Sequence, residues 1–405
     1  MPVNQQHQQT KRLHKMLWRP WNHFLAQKTD TAGALIPYME KYYDIGYAIV
    51  SLIFVGAALG YITAAPVVAR VRNHLGLAKT FALSQTLICC GYIPIICGAP
   101  FPVIAISFFV VGFGCAVNLP LSNVFCASFS NAPTLLGLSA GAYGLGGIVS
   151  PLIATAMVTA GNLVWSRYYL VTLGLAAFNA IFAAWSFWDY DKELHISYGS
   201  AQTVPEAQRG RGSATLAAFK SRVVLLGALF VFTYQGAEVS VSGWVVSFLI
   251  ETRGGDPSQV GYVSAGFWAG ITVGRFLLSP LGHRLGEKGF IYGLVIGSAA
   301  FELLVWLVPN IIGNAVAVAI VGLLLGPVWP CATIVFTRNL SRKEQVSGLS
   351  IISAFGSSGG AFMPLAIGLL SQKIGTYVLH PVVIGLCGLM IIVWFGIPAA
   401  RKRLE

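Results

Sequence analysis

The chain has 405 residues, of which 56% are hydrophobic and 10% charged, with a mean hydropathy of +0.71 and a net charge of +12. Soluble domains carry about 25% charged residues, and no soluble core of this length hides so much apolar surface, so lipid is the solvent for much of the chain. Nucleic acid is not expected as a partner, because the Lys and Arg sit at the ends of apolar stretches and not on one soluble face.

A spanning helix needs about 20 mostly apolar residues. Residues 1–30 are polar and basic without an apolar core, so they read as a cytosolic segment with no cleavable signal peptide. Residues 31–43 (TAGALIPYMEKYY) are too short to cross, and the polar stretch before them cannot complete the crossing; they read as a truncated or distorted first span. Clear spans follow at 45–68, 80–97, 103–126, 135–159 and 168–188. A charged loop at 189–221 is the longest break, and six further spans lie at 223–250, 260–281, 289–308, 312–337, 346–371 and 378–397. Residues 398–405 form a basic tail.

Alternate loops differ sharply in charge. Twenty of the 26 Lys and Arg fall on one side, in the N-terminal segment, the 189–221 loop, the C-terminal tail and the loops carrying Arg70, Arg284 and Arg338. Four, Lys41, Arg167, Arg253 and Lys373, fall on the other. The positive-inside rule puts both termini and the long loop in the cytosol. The glycosylation sequon Asn339-Leu340-Ser341 is then cytosolic and silent. The seven cysteines lie mostly inside apolar runs without metal or disulfide spacing, and read as small packing residues.

The chain also repeats itself. Gly56, Gly60, Pro66 and Arg70 match Gly270, Gly274, Pro280 and Arg284 at an offset of 214. Val111, Gly112 and Pro120 match Val321, Gly322 and Pro330 at 210, and Gly146, Gly147 and Pro151 match Gly359, Gly360 and Pro364 at 213. Such clusters, in one order and at nearly one offset, indicate two related halves, 31–188 and 222–397, each with six spans. The small-xxx-small pairs suit close helix packing, and the paired prolines free backbone groups that are tolerated beside protein or a wet cavity. The fold class is therefore an all-α membrane protein of two six-helix bundles.

Gly33-Ala-Leu-Ile-Pro37 and the run from Asp44 to Gly56 resemble fungal members of the major facilitator superfamily. Tyr234-Gln-Gly-Ala-Glu-Val-Ser240, followed by Gly243-Trp244, resembles the seventh span of its fucose/glucose permease-like branch. The resemblance implies alternating access and an acidic proton site in the first span, where Asp30 is the nearest acid. It also implies a basic loop after the second span, here carrying Arg70 and Arg72.

Ionisable groups inside a span cost about 2.5–3.5 kcal/mol on insertion scales, so each needs a reason. Glu238 lies near the middle of span 7, with Tyr234, Gln235 and Ser242 on its helical face, and reads as a substrate-hydroxyl acceptor or proton site. Glu302, in span 9, reads as structural or interfacial. Arg275 lies near the cytosolic end of span 8 and can snorkel to the headgroups. With Arg70 and Arg284 it is a candidate for gating. Asn118 and Asn123 beside Pro120, and Trp244 and Trp329, are candidate substrate contacts.

The reading that follows is a secondary active transporter of a small organic solute, a sugar or metabolite, possible proton coupling resting on Glu238 and Asp30. The alternatives are an efflux transporter and a non-transporting scaffold or receptor. No cofactor or metal is expected, and no nucleophile elbow or phosphate-cradling loop points to an enzyme. The expected partners are solute, lipid and protons, the expected state is a monomer, and the expected location is the plasma or vacuolar membrane.

Overall fold

The computed structural model describes residues 32–127, 132–187, 221–340 and 342–398. Helices α1 (Ala32–Tyr43), α2 (Tyr47–Val50), α3 (Leu52–Ile96), α4 (Phe101–Ala127), α5 (Ala132–Thr159) and α6 (Tyr168–Phe187) belong to the first half of the chain. The second half has α7 (Arg222–Glu251), α8 (Pro257–Val260), α9 (Val263–Leu277), α10 (Ser279–Leu285), α11 (Glu287–Leu307), α12 (Ile311–Leu325), α13 (Val328–Asn339), α14 (Arg342–Ile374) and α15 (Leu379–Gly396). There is no strand among the described residues. Among the described residues, ten helical stretches are long and apolar enough to cross a membrane. Large apolar side chains such as Ile181, Ile312 and Phe395 point outward, as lipid-facing surfaces require.

The second and third expected spans have counterparts at Tyr47–Val68 and Lys79–Ile96, on either side of a kink in α3 at Gly76, whose φ of 77° suits a residue without Cβ. The eighth, expected as one continuous stretch over 260–281, is instead divided among α8, α9 and α10. Gly261 and Tyr262 separate α8 from α9, and Leu278 precedes Pro280, which supplies no backbone donor to continue the ladder of α9.

The described chain forms two compact units. One takes in described residues of 59–146 and 166–187 and is centred on Ala64, Phe81, Ala116, Val117, Leu121 and Ala183. The other takes in described residues of 32–58, 147–165 and 221–398, so α1, α2, the start of α3 and the end of α5 pack with the second half of the sequence. Glycines make that packing close: a Cβ on Gly33 would lie 2.2 Å from the Ser242 carbonyl oxygen, and one on Gly243 would lie 2.9 Å from the Phe54 ring. The Tyr47 hydroxyl donates to Glu251 Oε2 at 2.9 Å.

The sequence repeat has a structural counterpart inside each unit. In the first, Gly60 of α3 sits on the α4 backbone, its Cβ position 2.3 Å from the Phe109 carbonyl oxygen. In the second, Gly270 and Gly274 of α9 sit on α12, with Cβ positions 2.0 Å from the Ala319 oxygen and 2.1 Å from the Leu323 oxygen. Gly322, the repeat partner of Gly112, faces the Phe267 carbonyl at 2.1 Å.

At one end of the second half, Arg338 pairs with Glu287 at 2.9 Å, and Lys288 donates to the Ile397 carbonyl at 2.6 Å. The Trp394 indole donates to the Lys288 carbonyl at 3.0 Å. These contacts tie α11, α13 and the end of α15 together.

Candidate functional site

Helix α7 is buried along most of its length, held by α14 and α15. A carboxyl at its middle cannot reach bulk water and needs a partner within the protein. Glu238 is 4% exposed, and its Oε2 lies 3.8 Å from Nη2 of Arg275 on α9. The guanidinium therefore turns inward to Glu238. The snorkelling orientation expected from its position is not the one observed, because the buried carboxylate attracts it more strongly than the headgroup region would. The Arg275 side chain keeps 20% of its surface, so the pair borders open space on that side.

Tyr234, one turn before Glu238, is buried and faces both Glu238 and Arg275. At 3.8 Å the ion pair is longer than a charge-assisted hydrogen bond. Glu238 Oε2 and the Tyr234 hydroxyl are buried without a well-formed hydrogen bond among the described residues. Buried polar groups left in this state are uncommon and require an explanation, such as a bound ligand or water.

The other expected residues divide. Gln235 is half-buried and lies against Gly356 and Gly360 of α14, not toward Arg275. Ser242 donates to the Val239 carbonyl of its own helix at 3.2 Å. Trp244 is fully buried; its indole nitrogen donates to the Pro364 carbonyl at 3.0 Å, and its ring meets those of Tyr47 and Phe54. It anchors α7 to α14 and leaves no free ring face for a solute. Trp329, in the first turn of α13, is half-buried. Asn118 is buried in the first unit, with Nδ2 3.4 Å from Ser84 Oγ. Asn123 lies on α4, with its side chain outside the described residues, and Asp30 lies outside them altogether. Arg70 and Arg284 are exposed.

Glu302 is fully buried and meets His380 of α15, a residue that the sequence reading passed over. A lone histidine in the apolar run Leu379–Gly396 is a weak signal, and its partner lies 78 residues away.

A family model described as the Major Facilitator Superfamily matches residues 24–254 and 229–405. Bypass of stop codon protein 6 of Saccharomyces cerevisiae is 28% identical over 375 residues, which cover 85% of this chain and 74% of that protein. A glucose/mannose transporter of Bacillus subtilis is 23% identical over 353 residues, covering 84% and 83% respectively. Among solved structures, a D-xylose-proton symporter superposes with a TM-score of 0.72 at 11% identity, over 96% of this chain and 98% of its own. A nucleoside transporter gives 0.72 at 13% identity, over 94% and 98%. Identities this low speak for the fold alone.

Proposed function

The chain belongs to the Major Facilitator Superfamily and is a multi-pass membrane transporter, and we propose that it carries a small neutral polyhydroxy solute, of the sugar class, by proton-coupled alternating access. The observation that carries this reading is the loose, buried grouping of Glu238, Arg275 and Tyr234. The charges of the carboxylate and the guanidinium cancel, so the site has no net attraction for an anion or a cation. What it offers is an acceptor at Glu238, donors at Arg275 and a hydroxyl at Tyr234 that can do either. A sugar hydroxyl, itself both donor and acceptor, matches that set. The glucose/mannose transporter among the relatives supports the same solute class.

Glu238 also suits proton coupling. While ionised it is held by Arg275; a proton would remove the attraction and turn the carboxyl into a donor, releasing the guanidinium. Binding a proton and holding Arg275 are thus alternative ways to neutralise one buried charge, so the proton displaces the guanidinium. In this reading alternating access uses the two related halves of the sequence, 31–188 and 222–397. Both termini and the 189–221 loop face the cytosol, as the basic asymmetry supports.

Uptake into proteoliposomes containing the purified full chain tests the solute class. A neutral hexose is expected to enter and its uronic acid to be excluded. Preference for the uronic acid, or entry of neither, would contradict the reading.

A further inference from the structure

Glu302 of α11 and His380 of α15 are both 0% exposed, and His380 Nδ1 lies 2.5 Å from Glu302 Oε2. The other two polar atoms, Glu302 Oε1 and His380 Nε2, are buried and have no hydrogen-bond partner among the described residues. The edge of the imidazole meets the Phe248 ring, with centroids 4.3 Å apart and planes at 78°. A charged neighbour stands behind that ring: the Arg253 guanidinium is 5.2 Å from the Phe248 centroid. Arg253 also donates to the Val305 and Trp306 carbonyls at 2.9 and 2.7 Å, at the end of α11. With its amide turned to satisfy its contacts, Asn314 of α12 accepts from Arg253 Nε at 3.2 Å. On α15 itself, the buried thiol of Cys387 faces Glu302.

We propose that Glu302 and His380 form a second proton-binding site, separate from Glu238, that takes one proton for the pair. The chemistry follows from charge. With one proton between Nδ1 and Oε2 the pair is neutral overall, whichever atom holds it. Losing that proton leaves a carboxylate beside a neutral imidazole, a single negative charge near Arg253. Gaining a second gives an imidazolium beside a carboxylic acid. Two groups this close take up and lose protons as a unit.

Phe248 lies ten residues beyond Glu238 on α7, about 15 Å along the helix axis. The two sites are therefore far enough apart to load separately. His380 is the second residue of α15, one turn from the short helix Thr376–Val378. Thr376 of that helix meets Thr252, which caps the end of α7, at 2.9 Å.

Infrared difference spectra between acid and alkaline pH, recorded on the full chain in lipid without solute, test the proposal. The wild-type spectrum is expected to contain a carboxyl change that disappears in E302Q, shifts in H380N and persists in E238Q. A spectrum unaltered in both E302Q and H380N overturns the proposal, even if both variants unfold at lower temperature, since that is the behaviour of a purely structural pair. If E302Q does not fold, H380N decides alone, because it retains Glu302 and changes only its partner.

Discussion

Glu238 and Arg275 stabilise the bundle only as a pair. Removing one partner of a buried ion pair leaves an uncompensated charge and costs about 3–5 kcal/mol, whereas replacing both with apolar or neutral groups is often close to neutral. Arg275 keeps one-fifth of its surface, so the pair is not fully buried and the cost falls toward the lower end of that range or below it. R275A is expected to lower stability by about 2 kcal/mol or more, while E238Q/R275M recovers most of the loss without recovering transport. Thermal unfolding in detergent, with uptake measured in parallel, checks both. Equal destabilisation in the single and double variants would show that the two charges do not depend on each other. The acidic partner was legible in the sequence, because an acid amid Tyr234 and Gln235 in an apolar span is costly without a role. Its basic partner was not: Arg275 lies on another helix, and nothing in local spacing tells which way its long side chain turns.

At the level of helices, the glycine repeats are where two backbones meet. Gly270, Gly274, Gly322 and Gly326 put α9 and α12 into backbone contact, each with a Cβ position within 2.4 Å of a carbonyl oxygen on the facing helix. A methyl group there meets backbone, which cannot rotate aside. G270A and G322A are each expected to destabilise the protein by about 1–3 kcal/mol. Gly293 of α11 is the control, since a Cβ there has nothing within 4 Å; G293A should leave stability unchanged or raise it by about 0.4–1 kcal/mol. The midpoint of thermal unfolding distinguishes these outcomes. The correspondence of Gly60, packed on α4, with Gly274, packed on α12, was legible as an offset of 214 residues before either contact was known. The division of the eighth span was less so: Pro280 marked a break, but Gly261 and Leu278 are ordinary residues whose boundary positions depend on packing. Trp244 shows the same limit, because an aromatic beside a candidate site reads alike whether it stacks on a solute or fills the space between α7 and α14.

For the whole molecule, charge asymmetry and the site make separate claims. The proposed orientation, with both termini and the 189–221 loop in the cytosol, rests on twenty basic residues on one set of loops against four on the other. Epitope tags at the N-terminus and near Gln202 are expected to be protected in intact cells and reached after permeabilisation. Labelling of the Gln202 tag from outside would reverse the orientation while leaving the Glu238 site untouched. The central claim, coupled transport through Glu238, is tested most directly by comparing exchange with accumulation in proteoliposomes. Wild type should exchange labelled hexose across the bilayer and also concentrate it under an imposed proton gradient. E238Q, which keeps the shape and loses titration, should still exchange the hexose but no longer concentrate it. If E238Q accumulates hexose to the wild-type level with the same response to pH, Glu238 is a structural carboxyl and the account of coupling is wrong.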